Sequence, residues 1–495
     1  VRDFTSKQWL TLLTVQAVTI LFGVTITSVT VILPQMRGAM SATQDQIAWV
    51  LTLNLVATAA TTPLTGWLAA KLGWRVLMLC SVLGFTMASV ACGAAESFEM
   101  LLIFRVIQGA FGAPIFPMGQ SIILARFEKH HHPMALMLWG VGGVMGPILG
   151  PTFGGLMADL LDWRWSFFMI MPLGILACIP VLFSLGNEEK GTARRFDFIG
   201  FFCIAIAIGA LQLMVDRGQR QDWFYSAEII TECALAAGFF YLFCVHARFA
   251  REPLFDKAAF RDRNFVLGIS FAFIMGMMQF GPMILFPPLL QDLRNFPESI
   301  VGYLIAMRGV GNFLSFFIVA TLTRINPRAT FCCGLLIQAV AGAWMGSLDM
   351  NMSLEHVIFT NLVHGFGFGL AYTPMAVLSF STLAPNLLTQ GNAVFALTRM
   401  MGSSIFIAVI LMIFVQSSAE ARSYLVSFIT VFNADLFAPW IAHYGNMSEP
   451  SFSQLAGEQV RQQAAMIGYI NAFHVLTLVP LCATPLTFLF RVRRA

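Results

Sequence analysis

Residues 134–158 read MALMLWGVGGVMGPILGPTFGGLMA, a run without one charged side chain. At a rise of about 1.5 Å per residue a helix of this length crosses a hydrocarbon core of about 30 Å. Working outward, comparable apolar stretches lie near 10–33, 47–69, 76–95, 100–124 and 166–185, then 197–215 and 227–246. They resume near 265–288, 299–322, 330–348, 355–379, 391–415 and 466–490. The chain is 58% hydrophobic and 11% charged, against roughly 45–50% and 25% in soluble domains, which excludes a soluble protein. In lipid only helices and closed barrels satisfy their backbone groups, and continuous apolar runs without alternation select helices. The expected fold is an all-α integral membrane protein of about fourteen spans. They group as a six-helix half over 1–190, an inserted pair over 196–250 and a second six-helix half over 264–495, with a long outer loop at 416–465.

Nineteen of the 29 Lys and Arg residues fall in one set of alternating loops, Lys71, Arg75, Arg126, Lys129, Arg261 and Arg328 among them, and seven in the opposite set. By the positive-inside rule the richer set, with both termini, faces the cytoplasm, so the net charge of +4 reflects topology and calls for no nucleic acid. The stretch 10–33 exceeds the roughly 7–15 residues of a signal-peptide core and is taken as the first span. Nine cysteines sit in or beside apolar stretches without CxxC or His spacing and read as packing residues. His130-His131-His132 reads as a basic loop, and neither a metal nor a cofactor is expected.

Three motifs and a scatter of polar residues interrupt the apolar runs. Gly66-Trp67-Leu68-Ala69-Ala70-Lys71-Leu72-Gly73-Trp74-Arg75 is a glycine-punctuated turn with cations at its edge, either a plain turn or a gating loop built on Gly66, Lys71, Gly73 and Arg75. Arg105, followed by Gln108 and Gly109, stands inside the fourth span. A charge at mid-membrane costs about 2.5–3.5 kcal/mol on insertion scales, so Arg105 is expected to face a partner or an aqueous cavity. Gly146-Pro147-Ile148-Leu149-Gly150-Pro151-Thr152-Phe153-Gly154-Gly155 places Gly146, Gly150 and Gly154 on one helix face for close packing, with two prolines that permit bending. Asn54, Gln108, Gln279, Asn312 and Asn361 are candidates for the substrate path, and Arg308 and Arg399 add two intramembrane cations.

These motifs, in this order and at these spans, resemble the major facilitator superfamily, and within it the fourteen-span drug:proton antiporters of the EmrB type. Trp163-Arg164-Trp165, Asp216-Arg217-Gly218 and Arg399 with Gly402-Ser403-Ser404 extend the likeness over nearly the whole chain. The resemblance implies two halves rocking about a central cavity, proton-energised export from the inner membrane, and work alongside a periplasmic adaptor protein and an outer-membrane channel. Two positions depart from it. Val24-Thr25-Ile26-Thr27 stands where relatives carry an aspartate, and Ala70 stands where the signature loop prefers one. Thr25 cannot carry a proton. His364, near a usual pKa of about 6.5, is the first candidate to replace it, ahead of Asp216, Glu228, Glu232 and His474. The cationic interior, with Arg105, Arg308 and Arg399, suits anionic or zwitterionic substrates.

The expected function is a secondary active exporter of small amphipathic compounds, with small-molecule substrate, protons and the lipid bilayer as partners. A dedicated exporter of one metabolite, such as a siderophore or fatty acid, and a transport-inactive scaffold are the alternatives. No P-loop and no nucleophile constellation is present in the sequence, so neither an ATP-driven pump nor an enzyme is expected.

Overall fold

The computed structural model describes residues 4–186, 195–429 and 450–491, and among them every regular element is helical. Seventeen α-helices among the described residues build the spans. Polar caps start many of them: Thr5 and Gln8 form a reciprocal capping box on α1 (Ser6–Ala39), as Thr43 and Gln46 do on α2 (Gln44–Thr61). Such caps satisfy the free N–H groups of a first turn.

Prolines and glycines break two early spans. After α2 a turn of 3₁₀ helix at Thr62–Leu64 contains Pro63 and leads into α3 (Thr65–Leu72). Gly73, at φ 82°, then turns the chain into α4 (Trp74–Gly93). The fourth span is α5 (Phe98–Gly112) joined through Pro114 to α6 (Ile115–Arg126). Next come α7 (His132–Leu160), then α8 (Trp165–Phe168) with α9 (Ile170–Ser184). The inserted pair is α10 (Phe198–Arg217) and α11 (Ala227–Phe249). The later spans are α12 (Arg263–Pro288), α13 (Glu298–Ile325), α14 (Pro327–Gly346), α15 (Leu354–Phe380), α16 (Leu388–Val426) and α17 (Pro450–Ala483). Pro287 and Pro288 end α12 in a π turn at Leu289–Leu293, since neither can donate to the preceding turn. Thirteen stretches among the described residues are long and apolar enough to cross a membrane; α7, uncharged over 134–158, supplies one more.

The long polar region after span 13 differs from the expectation. Residues 416–426 continue α16 as helix and 450–465 already belong to α17, so only its middle, 430–449, lies outside the described residues. At 39 residues α16 is about 58 Å long, nearly twice the hydrocarbon thickness. It pairs with α17 through Phe414 and Tyr469, whose rings are 4.4 Å apart. Residues 187–194, which join the sixth span to the inserted pair, also lie outside the described residues.

The inserted helices differ in burial. α10 bridges α2 and α16: Thr52 meets Asp216, and Gln212 donates to Ser404 Oγ at 2.9 Å. α11 sits at the rim with Phe240, Tyr241 and Phe249 exposed, and Arg217 ties it back through Glu228 (2.6 Å) and Glu232 (3.2 Å).

Candidate functional site

The first polar cluster fills the crossing of α2, α4 and α5. Gly109 lets α5 press against the carbonyl of Asn54, where a Cβ would collide. Arg105 is 1% exposed. Its Nε donates to the Val50 carbonyl at 2.8 Å, and its guanidinium also meets Gln108 Oε1. Gln108 donates to Ser89 Oγ at 2.6 Å, and Asn54 Nδ2 donates to the Arg105 carbonyl at 2.9 Å. Arg105 is therefore held by neutral acceptors inside the first set of spans and does not open into a cavity. Such a charge is tolerated because oriented dipoles surround it.

The second cluster lies where α13 crosses α15. Arg308 donates to the Met278 carbonyl on α12 at 3.2 Å and lies over the Phe368 ring at 5.8 Å. His364, fully buried, sits within electrostatic reach of Arg308 with both ring nitrogens unpartnered. Asn361 Nδ2 turns back to the Val357 carbonyl, and the side-chain oxygens of Asn361 and Asn312 are unpartnered.

The third group spans the two sets of helices. Arg399 on α16 donates to Gln279 Oε1 on α12 at 2.5 Å and covers the ring of Phe116 on α6 at 4.7 Å. Near it the sets meet in a seam on the face that carries both ends of the described chain. Gly66 of α3 abuts Gln390 of α16, and Lys129 reaches the Ser381 carbonyl at 3.4 Å. Met137, Phe316, Val319 and Leu370 close the seam between α7, α13 and α15. Within the loop over 66–75, Lys71 lies 4.6 Å over the Trp67 ring and Arg75 is half-exposed.

Gly146, Gly150 and Gly154 bring α7 onto α1. Cβ atoms there would meet Gly23, the Thr27 hydroxyl with the Val24 carbonyl, and Ser28, whereas Gly155 has room. Pro147 and Pro151 lie within the helix. Thr25, 1% exposed, donates to the Leu21 carbonyl at 2.8 Å and so spends its hydroxyl inside its own helix.

A family model for the Major Facilitator Superfamily matches residues 16–407. The chain belongs to the major facilitator superfamily. It is 30% identical over 447 residues to the multidrug export protein EmrB of Escherichia coli (strain K12), covering 90% of this chain and 87% of that one. It is 28% identical over 463 residues to the fatty acid resistance protein FarB of Neisseria gonorrhoeae, covering 93% and 91%. Among solved structures it matches the human organic anion transporter MFSD10 with TM-score 0.60 at 12% identity, covering 96% of this chain and all of that one. The proton:xylose symporter XylE matches with TM-score 0.57, also at 12% identity, over 96% of both chains. This superfamily member is an EmrB-type transporter and not an enzyme.

Several partners in these clusters carry no sequence signal. Val50 and Met278 contribute only carbonyls, and Ser89 and Phe116 look like packing residues. A small surface indentation lies elsewhere, beside α2 and the end of α10, lined by Trp49, Thr52, Arg217 and Arg220. Its cations are matched by Glu228, Glu232 and Asp216. The histidine run takes three separate partners: His130 faces Glu128 at 3.3 Å, His131 packs edge-on to Phe4, and His132 meets the Phe127 carbonyl at 2.9 Å. Burial holds the His132 imidazole below its usual pKa, against the opposing pull of the Phe127 and Leu124 carbonyls.

Proposed function

We propose that this transporter exports small amphipathic compounds across a cell inner membrane by alternating access, driven by protons moving the other way. The observation that carries the reading is similarity along about nine-tenths of the chain to EmrB, whose name describes multidrug export. The seam on the terminal face supports it, because two sets of spans in contact near one face suit a site open toward the other. The Lys/Arg bias assigns that face, with both termini, to the cytoplasm. The halves over 1–190 and 264–495 are the rocking units, with 196–250 inserted between them. The loop over 66–75 closes the cytoplasmic seam, and the α1/α7 glycine contact is the sliding surface. Gln279, Asn312 and Asn361 flank the path with Arg308 and Arg399, whose charge favours anionic or zwitterionic substrates, while Asn54, Arg105 and Gln108 brace the first set of spans beside it. Thr25 carries no proton, so the coupling group lies elsewhere.

The far ends of α16 and α17 extend past the membrane as a helical pair and offer a docking platform for a periplasmic adaptor protein leading to an outer-membrane channel. FarB, named for fatty acid resistance, favours a second reading as a dedicated exporter of one metabolite. Liposomes containing the purified chain and loaded with a probe, ethidium in one set and dodecanoate in another, test the proposal. Efflux should quicken when a proton gradient is imposed. A rate indifferent to the gradient for both probes would remove proton-driven export, and a response to dodecanoate alone would select the dedicated exporter.

A further inference from the structure

The α2/α5 and α13/α15 crossings are built alike. Gly109 rests on the carbonyl of Asn54, and Gly365 rests on the carbonyl of Arg308; a Cβ at either glycine would collide with that oxygen. Superposing the two contacts in register pairs Gln108 with His364, Arg105 with Asn361, and Thr58 with Asn312. The arginine and the asparagine have exchanged helices between the two crossings, and a glutamine has become a histidine.

The exchange leaves one cluster complete and the other open. Gln108 contacts Arg105, Asn54 and Ser89. His364, equally buried, has no partner at either nitrogen, and the oxygens of Asn361 and Asn312 have none. Buried polar groups are nearly always paired, so a site with this many free atoms is built for something that comes and goes. Arg308 has a single hydrogen bond, to the Met278 carbonyl, and meets no carboxylate among the described residues.

We propose that His364 binds the coupling proton and that Arg308 passes its arrival to the seam between the two sets of spans. The proposal rests on the proton-driven reading of the transporter. α15 packs against α12, α13, α14, and α7, and the charged group acting on His364 from these is Arg308 of α13. Arg399 of α16 acts instead on Tyr372, two turns further along. A proton taken from water on one face sets a second positive charge beside Arg308, in a low-dielectric interior where like charges repel strongly. Arg308 then leaves the Met278 carbonyl. The next residue, Gln279, holds Arg399, whose guanidinium covers Phe116 in the opposite set of spans. The proton on His364 and the Arg308 tie to α12 are thus alternatives, and α12 links that choice to the seam. Release of the proton to water on the other face restores the tie.

The direct test follows deuterium exchange at the C2 position of each imidazole between about pH 5 and 9, the range in which an imidazole titrates, with the full chain in lipid nanodiscs. In Arg308→Gln the pH dependence of exchange at His364 should shift from that of the wild type, because the charge acting on it is gone. An unmoved His364 midpoint, or exchange independent of pH, overturns the proposal. In liposomes, His364→Gln installs the side chain of the complete cluster. It should abolish the gradient's acceleration of ethidium or dodecanoate efflux while keeping downhill exchange, whereas a full gradient response in that variant also overturns the proposal. Wild-type efflux that ignores the gradient, together with a shifted His364 midpoint, would remove proton-driven export and leave the proton site standing.

Discussion

Replacing Gly150 by alanine tests the close approach of α7 to α1. The added Cβ would collide with the Thr27 hydroxyl and lie 2.7 Å from the Val24 carbonyl and 3.0 Å from the Ser28 backbone nitrogen. Overpacking in a well-filled core costs about 1–3 kcal/mol. Here two of the three obstacles are backbone atoms that cannot rotate away, which points to the upper part, about 2–3 kcal/mol. That is about 30- to 160-fold in the unfolding equilibrium. Gly143→Ala is the control: its Cβ meets nothing within 4 Å, and losing a helical glycine gains roughly 0.5–1 kcal/mol. The assay is thermal unfolding of the purified protein, followed by a thiol-reactive fluorophore reporting exposure of buried Cys92, Cys178 and Cys203. Gly150→Ala should unfold several degrees below Gly143→Ala, and adding Thr27→Ala should restore part of the loss. Equal unfolding temperatures for the two single variants would refute the packing argument.

Two further substitutions read other parts of the account. Arg105→Ala removes two charge-assisted hydrogen bonds, to the Val50 carbonyl and to Gln108 Oε1, worth about 1.5–3 kcal/mol each; the same thermal assay should show a loss at least as large as for Gly150→Ala. Gly73→Ala forces a side chain onto a backbone at φ 82°, ψ 159°, a region essentially confined to glycine, costing roughly 1–3 kcal/mol, and Gly73→Asn should lose about as much in the same measurement.

The architecture was legible in the sequence because the bilayer imposes a length rule. Span after span satisfies it, and the loop charges then fix the alternation. The rule failed beyond the membrane: the far ends of α16 and α17 are polar helices, and a search for apolar stretches reads them as loop. Side-chain facing was harder. A membrane helix is apolar on every side, so periodicity does not show which way Arg105 turns, and only the structure encloses it with Val50, Gln108 and Asn54. His364 stood out as a titratable group in an apolar span. Its kinship with Gln108 did not, because the two segments, Arg105-Val106-Ile107-Gln108-Gly109 and Asn361-Leu362-Val363-His364-Gly365, share only the final glycine in register. The correspondence is written in which carbonyl each glycine touches.

Alternating access is tested most directly at the seam. A Cβ on Gly66 would sit 3.1 Å from that of Gln390, a few tenths of an ångström short of the roughly 3.5–4.5 Å span of a disulfide, so a small outward shift allows the bond. In a background with the nine native cysteines replaced, Gly66→Cys with Gln390→Cys should cross-link under mild oxidation. The account predicts that the cross-linked protein in liposomes loses efflux and regains it on reduction, while each single variant is indifferent to oxidant. Undiminished efflux at complete cross-linking would contradict it.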